Sequence, residues 1–271
     1  MSSLRQLPIE GILGGGILLL IVLLSVAVPL LSPYDPLISA GEPLSAPSPE
    51  HLFGTDQLGR DIFTRTFAAA QLDIILALVG VAIPLLIGTF IGAIVGTTRN
   101  PIISSLWMVV VDSINAFPLI VLAIAMISVL GQGVEGIIVA LAVTNWARYA
   151  KLARSRALAL READFIHATF VLGYSPLRVL ARHIVPNVYS TTLAYGLSDF
   201  VIVIVTVAGL SFLGMGVRPP MPEWGSMMSE GRLYITIEWW ITVFPGLVLS
   251  VTAIGVALLA EGVVNMSRGD K

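Results

Sequence analysis

Long unbroken apolar runs alternate with short polar segments along this chain. A bilayer core of about 30 Å takes roughly 20 helical residues to cross. Residues 11–31, 73–96, 105–130, 190–213 and 241–264 each meet that length. Residues 134–147 form a shorter, weaker run, counted as a sixth crossing because the chain must return to the side that makes its charge pattern consistent. A membrane barrel would show alternating segments of about ten residues instead. Helices that satisfy their own backbone are therefore the expected spanning elements, and the predicted architecture is all-α with six transmembrane helices. The first run is too long for the apolar core of a cleaved leader, about 7–15 residues, and no small-x-small cleavage site follows it. The expected division is residues 1–72, a first span and outer loop, and residues 73–271, the remaining membrane core.

The polar segments carry local structure of their own. Residues 32–72 begin with Pro33, Pro36, Pro43, Pro47 and Pro49, an irregular stretch. After Gly59 the pattern turns helical, with Thr55 or Asp56 as a capping candidate and Ile62, Phe63 and Phe67 along one face. The loop 148–187 holds a short amphipathic helix over 162–172, in which Phe165, Ile166, Thr169 and Leu172 recur at helical spacing. Gly173 is placed to end it in the left-handed conformation. Ser175 then caps a second helix with Pro176 at its first position, and Pro186 is expected to end that helix. The result is a helix–turn–helix elbow between two spans. After the fifth run, Gly214, Gly216, Pro219, Pro220, Pro222 and Gly225 fix an irregular outer segment. It carries Trp224, Tyr234, Trp239 and Trp240, aromatics suited to the headgroup level.

Composition sharpens this picture. Charged residues make up 12% and apolar ones 56%, against about 25% charged in soluble domains. With the N-terminus inside, the inner set is Arg5, Arg99, Arg148, Lys151, Arg154, Arg156, Arg161, Arg178, Arg182, Arg268 and Lys271. The outer set is Arg60, Arg65, Arg218 and Arg232. That asymmetry predicts a cytoplasmic elbow and cytoplasmic termini. The absence of cysteine excludes disulfides, thiolate metal sites and cysteine nucleophiles.

The chain contains no Gly-Lys pair, hence no GxxxxGK[ST] phosphate loop, and no HExxH or GxSxG. His51, His167 and His183 lack metal-ligand spacing. No catalytic or metal-binding residue is assigned. Gly11–Gly16 lies in an apolar run, where small residues serve helix packing. Two intramembrane acids stand out. Asp112, ahead of Asn115, Phe117 and Pro118, reads either as an interfacial or paired carboxylate or as a pathway residue. Asp199, deep in the fifth run, reads either as a structural hydrogen-bond partner or as a pathway residue.

Several motifs in order resemble one family. Gly54–Asp61 reads GTDQLGRD, and Asp112 precedes Phe117-Pro118. Residues 182–187 read RHIVPN, residues 210–216 read LSFLGMG, and Pro219-Pro220 and Trp224-Gly225 follow. This series is similar to the inner-membrane permease subunits of bacterial ABC importers for dipeptides, oligopeptides and nickel, specifically the second permease of each pair. The general importer signature EAA-x3-G-x9-I-x-LP is present in altered form. Gly173 and Pro186 stand, with His167-Ala168-Thr169 in place of EAA and His183 and Val185 in place of the isoleucine and leucine. Residues 257–264 also depart from the usual family ending.

The resemblance implies the binding-protein-dependent importer permease fold, with Glu162, Ala163, Phe165, His167, Ala168, Thr169, Gly173 and Pro186 coupling to an ATPase. Asp112, Phe117, Pro118 and Asp199 would serve the translocation pathway or gate. Asp56, Arg60, Asp61, Arg218 and Trp224 would lie in outer segments facing a binding protein. The implied partners are a homologous permease, two ATPase subunits that bind ATP and magnesium, an extracytoplasmic solute-binding protein and the lipid bilayer of the bacterial inner membrane. No nucleic acid and no cofactor in this chain are expected. The implied cargo is a short peptide, with nickel complexes or another small solute as the alternative. A stand-alone carrier or channel is the competing class.

Overall fold

A computed structural model describes residues 8–269, with side chains described as far as Met266. Arg5 and Lys271, counted above in the inner charge set, lie outside the described residues, as does the Arg268 side chain. The elements in order are α1 (Ile9–Leu31), α2 (Ile62–Thr97), α3 (Pro101–Ala116), α4 (Leu119–Leu130), α5 (Val134–Arg161), α6 (Asp164–Val171) and α7 (Pro176–Val179). A π turn (Leu180–Ile184), α8 (Val185–Phe212), α9 (Trp224–Gly231), a 3-10 turn (Arg232–Tyr234) and α10 (Trp240–Gly269) complete them.

Among the described residues, four helical stretches are long and apolar enough to cross a membrane, namely α1, α2, the continuous run Pro176–Phe212, and α10. The pair α3 and α4 adds a fifth if both limbs count as one crossing. At 28 residues α5 has the length, but Arg148, Lys151, Arg154, Arg156 and Arg161 load its second half with charge.

Two expectations are corrected. Residues 105–130 do not form one straight span. The chain bends by 93° between α3 and α4, at Phe117, whose backbone is extended (φ −85°, ψ 138°). Pro118 has no N–H to continue the ladder and pushes its predecessor out of the helical region. Pro186, conversely, does not end a helix. The π turn just before it bonds the Val185 amide back to the Leu180 carbonyl, and this wider turn carries the helix past the proline. The Asn187 side-chain amide donates to the His183 carbonyl at 2.6 Å. The second limb of the elbow is therefore the start of a membrane helix.

The chain forms two compact units, whose boundaries fall inside α2, α4, α5 and α8. The first comprises the described residues up to Leu78, Ile127–Ile137, and those from Phe200 onward. Here α1 packs on α10 through glycines: a Cβ at Gly14 would meet the backbone of Gly255 and Leu259, and one at Gly262 the backbone of Gly11. Small residues let two helices approach this closely, as expected for the glycine-rich start of α1. The loop between α1 and α2 folds back at Gly54 and Gly59, both with φ near +75° (75° and 74°), and the Asp56 amide donates to the Arg60 carbonyl at 3.0 Å. The helix that follows is capped by Asp61, whose Oδ2 accepts from the Thr64 amide at 2.8 Å; Asp56 instead accepts from the amides of Leu58 and Arg60 within the turn. Phe53 stacks on Phe244 at 4.0 Å and meets Phe63 edge-on, tying this loop to α10.

The second unit comprises Val79–Met126 and Ile138–Asp199. Gly88, Gly92 and Gly96 recur every fourth residue along α2 and lie against α5, where a Cβ would strike the backbone or side chains of Trp146, Tyr149, Ala150, Ala153, Arg154 or Ala157. A core of Ala93, Ala153, Ala157, Leu160, Ile166, Val179, Ile184 and Val188 extends from this contact into the elbow.

Candidate functional site

The elbow is built to hold one shape. Asp164 opens α6, placing an acid in the first turn where the helix dipole favours it. At the other end Gly173 takes φ +80°. Its amide donates to the Phe170 carbonyl at 3.0 Å and the Tyr174 amide to the Thr169 carbonyl at 3.1 Å, the paired bonds of a Schellman ending. Ser175 Oγ then accepts from the Arg178 amide at 3.4 Å, with Pro176 in the first helical position. Ile166, Thr169 and Val179 are buried and fasten the elbow to its unit.

The outward face is apolar. Val171 is 89% exposed, Leu172 72% and Leu177 73%, beside half-exposed Phe165 and Phe170. Helical spacing groups Phe165 and Leu172 with Ile166 and Thr169 on one face; the structure sends the first two out and the last two in. Ala168 and His167 are exposed, as are Pro186 and Glu162, while Ala163 is half-buried and supplies the α6 N-cap. Arg161 donates to Glu162 Oε1 at 2.8 Å, and this bond holds the Glu162 carboxyl below its ordinary range, with His167 and Arg99 adding to the effect.

Asp112 and Asp199 have separate partners. Asp112 pairs with Lys151 of α5 at 2.8 Å, each about half-exposed. This pair lies one turn before the bend, where Phe117 and Pro118 are exposed. Asp199 is buried, and its Oδ2 accepts from the Tyr149 hydroxyl at 2.8 Å. Earlier along α8, Thr192 bonds Thr89 of α2 at 2.8 Å. The sequence shows Lys151 only as part of the inner charge set and gives no sign of Tyr149. An Asp–Lys separation of 39 residues and a Tyr–Asp separation of 50 leave no local signature.

The outer candidates lie mostly inside the first unit. Asp56, Arg60, Asp61 and Trp224 are buried, and Arg218 is exposed. Arg60 bonds Asp56 at 2.7 Å and Glu230 at 2.9 Å, while Arg65 adds its guanidinium to both acids at 3.5 and 3.7 Å. His51 bonds Asp61 at 2.9 Å. The Trp224 indole N–H donates to the Thr66 carbonyl at 2.9 Å and its backbone amide to Asp73 at 3.0 Å. Glu223 caps α9 through the amides of Gly225 and Ser226 at 2.9 and 2.8 Å. Burial raises the Glu223 carboxyl above its ordinary value, against the pull of those amides. In the sequence Arg65 figures only as part of the outer charge set and His51 only as a histidine without metal-ligand spacing, and neither Glu230 nor Glu223 is singled out. Only Glu223, directly ahead of a helix start, carried a local signal as a cap.

These features define an all-helical multi-pass membrane protein with a helix–turn–helix elbow between α5 and α8, and the described residues contain no cluster of three or more acids or histidines placed to hold a metal. Residues 88–266 match the family described as binding-protein-dependent transport system inner membrane component. The chain belongs to that family and is a permease component of such a system. It is 32% identical to a di/tripeptide transport system permease protein of Pseudomonas aeruginosa over 261 residues, covering 93% of this chain and 86% of that one. It is 36% identical to a dipeptide transport system permease protein of Alkalihalophilus pseudofirmus, covering 81% and 72%. Identity is also 36% to a glutathione transport system permease protein of Escherichia coli, covering 80% and 72%. An amino acid ABC transporter crystallised with histidines shares the fold, with TM-score 0.53 and 17% identity over 76% of this chain and 92% of that one.

Proposed function

We propose that this chain forms half of the translocation pathway of an ATP-driven importer for dipeptides or oligopeptides, worked through its cytoplasmic elbow by separate ATPase subunits. The observation that carries the reading is the elbow itself. Its inner face is locked into the core by Ile166 and Val179, and its outer face presents Phe165, Val171 and Leu172 to solvent. An apolar helix face of this kind suits a protein groove. Because α7, the π turn and α8 run on without interruption from Pro176 to Phe212, a displacement of α6 reaches a membrane helix across one glycine turn. Ligand-driven change needs only that the groove fit the elbow differently in its two ATPase states.

In this reading α5 is the sixth crossing, the elbow and both termini face the cytoplasm of a bacterial inner membrane, and a homologous permease completes the pathway. The Asp112–Lys151 pair and the bend at Phe117-Pro118 line that pathway. A charge left facing hydrocarbon costs about 2.5–3.5 kcal/mol, so an exposed pair in a spanning region favours water or a protein neighbour. Asp199 serves it indirectly, by holding α8 to α5 through Tyr149. Outside, Arg218 contacts a solute-binding protein, and the buried Asp56, Arg60, Asp61 and Trp224 shape the surface it meets. ATP and magnesium belong to the ATPase partners. The peptide cargo follows the names of the relatives.

A cysteine at Leu172, in a chain with no other cysteine, tests the proposal. Cross-linking it to the ATPase is expected to stop uptake, and reduction to restore it. A Leu172→Cys chain that forms no ATPase adduct in the assembled transporter would count against the reading.

A further inference from the structure

Beside the elbow, two cavities of the second unit share Arg99 and Arg161 in their walls. One, of about 730 Å³, is otherwise mostly apolar, with Ile166, His167, Phe170, Leu177 and Ile184 in its wall. The other, of about 400 Å³, is polar, with Thr98, Asn100 and Ser104. The charge between them is one-sided. Arg99 makes no hydrogen bond or ion pair among the described residues, and Arg161 bonds the Thr98 carbonyl at 3.1 Å as well as Glu162. Arg154 reaches Ser104 of the polar cavity at 2.7 Å, while its buried Nε has no partner. Two guanidinium groups, those of Arg99 and Arg161, thus face one carboxylate, Glu162, which is itself largely exposed, while the Arg154 guanidinium lies over the Trp107 ring.

We propose that these cavities hold an anionic phospholipid of the inner leaflet, its phosphate between Arg99 and Arg161 and an acyl chain along Phe170, Leu177 and Ile184. Basic pockets at the cytoplasmic ends of membrane helices suit such headgroups, and the apolar compartment beyond the arginines suits a lipid better than free phosphate. The lipid touches α6, α7 and the ends of α2 and α5 together, so its presence sets how firmly the elbow is held. This placement rests on the cytoplasmic position assigned to the elbow above.

The assembled transporter is placed in nanodiscs of phosphatidylcholine with one quarter phosphatidylglycerol, and retained lipid is counted by native mass spectrometry after release. Wild type is expected to keep phosphatidylglycerol in preference to phosphatidylcholine. One arginine near a headgroup is worth about 1 kcal/mol, so Arg99→Gln is expected to weaken retention about fivefold, with Arg99→Lys close to wild type. Leu177→Asp, on the exposed wall of the other compartment, is expected to lose the lipid as well. Equal retention by wild type, Arg99→Gln and Leu177→Asp overturns the proposal, as does equal retention of the zwitterionic lipid. Both faces of a nanodisc offer the same lipids, so the result does not depend on orientation. An elbow on the other side of the membrane is detected separately, by labelling a cysteine at position 172 in sealed vesicles with an impermeant maleimide.

Discussion

Replacing Gly173 separates the elbow's backbone geometry from its packing. The residue holds φ +80°, and a Cβ placed there meets no atom within 4 Å, so any penalty is conformational. An L-residue in the left-handed region costs about 1–2 kcal/mol, which shifts the closed turn roughly 5–30-fold toward opening. Asparagine tolerates the region best, alanine less, and β-branched valine least. When the turn opens, the bonds from the Gly173 and Tyr174 amides are lost and α6 no longer moves with α8. The assay is ATP-driven peptide uptake by the assembled transporter in proteoliposomes, alongside ATP hydrolysis and membrane insertion. Uptake is expected to fall in the order Gly, Asn, Ala, Val, with insertion unchanged and hydrolysis uncoupled in the valine variant. Wild-type uptake by Gly173→Val refutes the reasoning. So does an asparagine variant as inactive as valine, since that would make the space at Gly173, rather than its φ, the requirement.

The remaining expectations concern the surrounding scaffold. Tyr149→Phe removes the hydroxyl bound to Asp199; membrane hydrogen bonds of this kind contribute about 0.6–2 kcal/mol, and uptake is expected to fall more than ATP hydrolysis. Arg60→Ala strips a guanidinium from buried Asp56 and from Glu230, a change expected to lower stability by about 3–5 kcal/mol in thermal unfolding. Glu223 has a folded value raised by burial, so its contribution to stability is full below the ordinary glutamate range and is lost as pH rises through the raised value. Glu223→Gln is expected to flatten that part of the melting-temperature profile against pH; an unchanged slope contradicts the assignment.

Local chemistry made much of the fold legible in advance. Four of the apolar runs marked helices long and apolar enough to span, and Gly173, Ser175 and Pro176 marked the elbow's turn, because capping depends on residues three or four apart. Proline was read with less success. Both Pro118 and Pro186 were visible, yet one breaks a span and the other is passed by a π turn, a difference set by the neighbouring helix path rather than by the dipeptide. The ion cluster around Arg60 was hidden for a different reason. Arg60 and Glu230 stand 170 positions apart, and no periodicity links them. The motif residues Asp56, Arg60, Asp61 and Trp224 were therefore found as a group, but their burial and their partners emerged only from the folded chain.

The dependence of transport on an external motor is tested most directly by reconstitution. The purified chain alone, and the same chain with its permease, ATPase and binding-protein partners, are placed in proteoliposomes, and accumulation of a labelled dipeptide is followed with and without ATP. Uphill accumulation only in the complete, ATP-supplied vesicles is the expected result; accumulation by the lone chain under an ion gradient contradicts it.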